Sequence, residues 1–171
     1  MSFALTAFTL FHVSLSLIGI AAGLVVLFGM LSGRRLDGPT ALFFWTTVAT
    51  SATGFLFPFH GFKPSYVFGI LSLLLLPAAI FARYRRGLAG WWRPIFVVTA
   101  MTALYLNVFV LIFQLFLKIP AMRALAPTQS EPPFAITQLT VLVLFIVLTA
   151  IATLRFRPQQ APEGGLPLQV A

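Results

Sequence analysis

His12 and His60 are the two histidines of the chain, and His12 sits inside a long apolar run. It is the one side chain within such a run that titrates near neutral pH, which makes it a functional-site candidate wherever the run lies in lipid. Neutral imidazoles are suitable axial ligands, so one b-type haem held between His12 and His60 is one chemistry these residues offer. A quinone or another apolar ligand is a second, with His12, Asn107 or Gln114 donating hydrogen bonds in a lipid-open cleft. A third is a 2-His-1-carboxylate metal set completed by Glu131. Gln138 joins His12 and Gln114 in the outer halves of their stretches, so the candidate cofactor-binding residues are His12, His60, Asn107, Gln114 and Gln138.

Each candidate also has a plainer role. His12, Ser16, Gly19 and Gly23 fall at offsets of 0, 4, 7 and 11, and Asn107, Gln114 and Lys118 at 0, 7 and 11, so each set lines one helical face. Thr46, Thr50 and Thr53 form one row, with Thr47, Ser51 and Gly54 beside it. Small residues let backbones approach, and amides and hydroxyls bond helix to helix, so these stripes are the expected packing faces of a bundle. The segment Phe57-Pro-Phe-His-Gly-Phe-Lys-Pro64 holds enough proline and glycine to make a tight turn without any ligand.

Five apolar stretches must position these groups: Phe8 to Leu31, Thr40 to Phe57, Ser65 to Ala82, Pro94 to Leu117 and Phe134 to Leu154. Each is near the roughly 20 residues that cross about 30 Å of hydrocarbon. None contains a charged residue, and the whole chain is 60% hydrophobic and 8% charged with a mean hydropathy of +1.01. A soluble domain of 171 residues could not bury that much apolar surface, and unalternating runs choose helices over a closed barrel. The fold class is therefore all-α, a polytopic membrane bundle with five transmembrane helices over residues 1–157. Residues 158–171, with prolines, a Gly-Gly pair and little charge, read as a poorly ordered cytoplasmic tail.

The formal net charge of +8 does not point to nucleic acid, because the basic residues sit in short loops beside the stretches. Eight of them, Arg34, Arg35, Arg83, Arg85, Arg86, Arg93, Arg155 and Arg157, share one side, against three, Lys63, Lys118 and Arg123, on the other. Since cytoplasmic loops retain positive charge, the N-terminus is expected outside and the C-terminus in the cytoplasm. Tyr84, Trp91 and Trp92 flank the arginine-rich loop as interfacial anchors. Pro77 should kink the third stretch, and Ser130 should cap the fifth, with Glu131 and Pro132 in its first turn.

No cysteine is present, which excludes disulfides, thiolate metal sites and thioether haem attachment. No Asp or Glu lies within a stretch, so a carboxylate-based ion pathway lacks its usual residue. No phosphate-binding, serine-triad, HExxH or dinucleotide fingerprint occurs.

The blocks Thr50-Ser-Ala-Thr-Gly-Phe-Leu-Phe-Pro-Phe-His-Gly-Phe62, Ala103 to Pro120 and Ala126 to Phe134 resemble a group of short, uncharacterised multi-span bacterial membrane proteins. The resemblance runs over most of the membrane region. It implies the cell inner membrane and carries over no activity, cofactor or functional residue. The expected function is that of an accessory or interaction protein, in contact with the lipid bilayer and with a membrane-protein partner or a second copy of itself. A redox or ligand-binding protein holding haem b or quinone near the outer face is the alternative.

Overall fold

The first helix, α1 (Phe3–Leu31), stops where Gly33 takes a left-handed φ of 68°. That conformation lets Gly33 N–H reach the Met30 carbonyl at 3.0 Å and Arg34 N–H reach the Gly29 carbonyl at 2.8 Å, which satisfies carbonyls left over at the helix end. The second helix, α2 (Asp37–Gly54), starts with an acidic residue at the positive end of its dipole and with Pro39 in its first turn. It is tightened at the far end by Phe55 N–H to Ala52 O at 3.2 Å and Leu56 N–H to Thr53 O at 3.0 Å. The helix thus ends short of Phe57. This computed structural model describes residues 3–57 and 64–157; His60 and the expected tail at 158–171 lie outside the described residues.

The third helix, α3 (Pro64–Ile80), contains Pro77 and runs on into a π-helical turn, Phe81–Arg85. There Arg86 N–H bonds the carbonyl of Phe81, five residues back, at 3.1 Å. Arg83 and Arg85, which the hydropathy pattern assigns to a loop, therefore belong to the helix. Positive φ at Gly87, Leu88 and Gly90 turns the chain into α4 (Trp92–Lys118). The segment expected to be an outer loop holds a short helix, α5 (Pro120–Leu125), before α6 (Pro132–Arg155).

Every described element is helical. Among the described residues, four segments are long and apolar enough to cross a membrane: α1, Tyr66–Arg85, α4 and α6. The helix α2, 18 residues long, falls below that standard because it takes in Asp37, Gly38 and Pro39 and stops before Phe55 to Phe57, with threonine and serine diluting the rest. Several of its hydroxyls are absorbed locally. Thr40, Thr46 and Thr53 donate to the carbonyls of Leu36, Leu42 and Ala49 at 2.5, 2.7 and 2.7 Å.

The helices α1 to α4 pack in sequence, α1 against α2, α2 against α3, α3 against α4, and the ring closes where α4 meets α1. Outside this ring, α6 rests on α4 and α1. The centre is α4, whose Phe96, Val97, Ala100, Met101, Ala103 and Leu104 are fully buried. Lipid supplies no hydrophobic drive between helices, so shape complementarity must hold such a bundle together. Gly23 shows how close the fit is: a Cβ there would lie 2.5 Å from Leu104 Cδ1 and 3.0 Å from the Phe43 ring.

Candidate functional site

The two polar ends of the bundle are built differently. At the end bearing Lys118, His12 of α1 faces α2, with Nδ1 2.9 Å from Thr53 Oγ1. The Thr53 hydroxyl lies 2.7 Å from the Ala49 carbonyl, which can only accept; with its hydrogen spent there, the tautomer that fits the His12 contact is Nδ1–H donating to Oγ1. Nε2 is then the acceptor nitrogen of the ring. Phe57 packs edge-on against the imidazole at 5.1 Å between centroids, and Phe8 lies 4.9 Å from Phe57. Gly54 adjoins the ring, where an added Cβ would make ordinary contact at 3.7 Å from His12 Cε1.

The remaining candidates are placed one by one along the helices. Asn107 Nδ2 donates to Thr47 Oγ1 at 3.1 Å, tying α4 to α2 in a buried setting. Gln138 Nε2 donates to the Phe109 carbonyl at 3.2 Å and ties α6 to α4. Gln114 contributes a buried Oε1 that finds no hydrogen-bond partner among the described residues, as do Gln138 Oε1 and Thr50 Oγ1. The polar stripes therefore meet pairwise, α1 to α2, α2 to α4 and α4 to α6. None of these hydrogen bonds joins one candidate residue directly to another.

The loop before α6 departs from expectation. The N-cap position belongs to Glu131, and Ser130 makes no cap bond to the helix. The Glu131 carboxylate turns backwards instead, accepting from Thr128 N–H at 3.1 Å, Thr128 Oγ1 at 2.9 Å and Ser130 N–H at 3.1 Å. Pro132 and Pro133 explain the difference: with no N–H at the first helical positions, a capping side chain would have fewer donors to meet. Desolvation is the largest single influence and raises the Glu131 carboxyl, but the hydrogen bonds from Thr128 and Ser130 together outweigh it and hold the group below the ordinary glutamate range. Among the described residues no three His, Asp or Glu side chains come together as a metal set.

At the arginine-rich end the structure reveals a residue that loop assignment hides. Arg83 is 1% exposed and is the largest fully buried side chain of the described molecule. Its Nη2 donates to Asp37 Oδ1, joining the end of α3 to the start of α2, and Asp37 also accepts from Arg35 Nε at 3.0 Å. Asp37 itself is 69% exposed. It lies at the rim of the bundle, before the apolar part of α2. The hydrogen bond from Arg35 comes first in holding its carboxyl below the ordinary aspartate range; desolvation opposes it, and the charges of Arg83 and Arg35 add to the lowering. The Arg83 guanidinium carbon lies 5.3 Å from the Phe96 ring and 5.8 Å from the Tyr84 ring. Its Nε has no hydrogen-bond partner. A sequence signal for this burial exists: Ser72, Leu76, Ala79 and Arg83 follow at offsets of 0, 4, 7 and 11, and all four are buried.

The chain matches no protein-family model, no curated protein and no solved structure.

Proposed function

We propose that the chain is a five-span protein of a bacterial inner membrane, N-terminus outside and C-terminus in the cytoplasm, that serves as an accessory or interaction subunit. The observation that carries this reading is the use of the interior polar groups. His12, Asn107 and Gln138 are each engaged in joining one helix to the next. Support for a fifth crossing comes from α2, which runs antiparallel to α1: His12 meets Thr53, and Gly19 faces Thr46. Its 18 residues extend about 27 Å at 1.5 Å per residue. The excess of arginine on one face supports the orientation, and the resemblance of three sequence blocks to bacterial membrane proteins supports the location.

The test has two parts. Reporter fusions after Ala171 should be active only in the cytoplasm, and activity only outside would overturn the orientation. Mild-detergent extraction after in-cell crosslinking should give a stoichiometric membrane partner or a second copy, whereas a chain that stays alone under both treatments would sink the interaction reading.

One observation favours a second reading. An axial histidine commonly donates its other ring N–H to an oxygen, and His12 already donates from Nδ1 to Thr53 with Nε2 as the remaining ligand atom. On that reading haem b would be held by His12 with His60. A visible spectrum of the purified protein distinguishes the two: a Soret band that shifts on reduction and is lost in His12→Ala supports haem, and a colourless folded protein removes it.

A further inference from the structure

A groove of about 790 Å³ runs along the membrane-facing side of the bundle between α3, α4 and α6. Leu71, Met101, Tyr105, Phe145, Thr149 and Ala150 are among its walls, and none of the candidates at the two polar ends lines it. The helices that form it are antiparallel here. Gln138 of α6 bonds at Phe109 of α4 and Phe145 packs on Tyr105 at 5.7 Å, so the groove follows α4 from Leu106 towards the arginine-rich end.

Its chemistry is specific. No charged residue lines it, so a charged headgroup would find no counterion there. Of the hydroxyls along it, Thr102 donates to Val98 O at 2.8 Å and Thr153 to Thr149 O at 2.8 Å, leaving those two donors occupied. Tyr105 has ring contacts with Phe109 and Phe145, and no hydrogen bond is made by its hydroxyl among the described residues. That hydroxyl is not enclosed by protein, since it is absent from the buried unpartnered atoms, and the residue lines the groove.

Depth decides what can reach it. Tyr105 is the middle residue of α4 (Trp92–Lys118), about 20 Å along the axis from either end at 1.5 Å per residue. An unpaired hydroxyl at that depth has no water to bond, and leaving it so is costly. Phospholipid carbonyls belong to the interface, about 15 Å from the midplane of a 30 Å core. A neutral molecule soluble in the hydrocarbon can bring an acceptor to that depth. Tyr105 and Phe145, whose ring centroids lie 5.7 Å apart, are both walls of the groove and offer aromatic surface to a planar ring partner.

We propose that this groove binds an isoprenoid quinone, its ring carbonyl accepting the hydrogen bond of the Tyr105 hydroxyl and its tail lying along the apolar wall of α4 and α6. The polar complement is the Tyr105 hydroxyl against one neutral acceptor, the Thr149 hydroxyl being a second polar group on the wall, and the remainder of the contact is hydrocarbon. This inference stands apart from the partner reading and from any haem at His12, since it uses neither the polar end faces nor the histidines.

The experiment is a titration of the full chain, purified in mild detergent, with a decyl-substituted benzoquinone, read by quenching of tyrosine and tryptophan fluorescence. Tyr105→Phe and Ala150→Phe are compared with the unaltered chain, and decylbenzene serves as the competitor that lacks a carbonyl. Ala150 is exposed on α6, so its replacement fills the groove without disturbing the core. Saturable binding is expected in the unaltered chain. It should be weakened about five-fold in Tyr105→Phe, the loss of one neutral hydrogen bond, abolished in Ala150→Phe and poorly displaced by decylbenzene. Quenching that is linear and equal in all three proteins would mean partition into detergent and would overturn the proposal. So would unchanged affinity in Tyr105→Phe or full displacement by decylbenzene. A change of oligomeric size in Ala150→Phe with quinone binding intact would give the groove to a second copy and equally overturn it.

Discussion

Arg83 carries a charge into the bundle, and the anion that answers it stands at the rim. This asymmetry gives an ordered prediction. Removing Asp37 leaves a buried guanidinium without its carboxylate, beside the Phe96 and Tyr84 side chains, whereas replacing Arg83 by Met removes the charge and keeps most of the volume. Asp37→Ala should therefore cost about 2 kcal/mol and Arg83→Met less than about 1 kcal/mol, with the double variant close to Arg83→Met. Thermal unfolding of the three variants in detergent measures this, and an Asp37→Ala protein as stable as the parent would refute it. Glu131 gives the residue-scale pH dependence. Its carboxyl is held below the ordinary range in the folded loop, so the order it lends is fully present above the unfolded glutamate pKa. That order is lost as pH falls through the lower folded value. Amide exchange at Thr128 and Ser130 should be slow at neutral pH, should rise towards the intrinsic rate in acid beyond the ordinary pH dependence, and should be fast at neutral pH in Glu131→Gln. The polar partners of His12 and Asn107 could be anticipated only as facing stripes. The tautomer of His12 depends on where the Thr53 hydroxyl points, which spacing alone does not set.

Between helices, the fit of α1 against α2 and α4 rests on glycine. Gly23→Val would drive methyl groups against Leu104 and Phe43, both fully buried. It should cost about 1–3 kcal/mol. Gly38→Ala, where an added Cβ meets nothing within 4 Å, should be close to neutral. Melting temperatures of the two variants make the comparison, and equal melting would show that α1 has room to shift. Much of this level is legible beforehand: the apolar runs of α1, α4 and α6 are long enough to mark their helices, and Gly19 and Gly23 mark the close face. The π-helical end of α3 is not legible. Arginines at 83 and 85 read as a loop by charge, and only the contacts of Phe96 and Asp37 explain why the helix continues. The short helix α5 is likewise hidden by prolines, which serve as well to start a helix as to break one.

Across the whole molecule, charge and packing divide the labour. The arginines concentrate at one end, while the groove beside α6 lies in the hydrocarbon between the two polar faces. α6 leans on the closed ring of α1 to α4 without completing it, so its outer surface remains open for lipid, ligand or partner. The weak hydropathy of α2 has a consequence for how the protein is made. At about 5–20 residues per second, α2 leaves the ribosome within seconds of α1, and its threonines would make it a poor substrate for lateral release into lipid by itself. In the proposed five-span arrangement its natural companion is α1, already waiting with His12 and the Gly19–Gly23 face. The two would enter as a hairpin, and biogenesis of the remaining helices would inherit its success or failure.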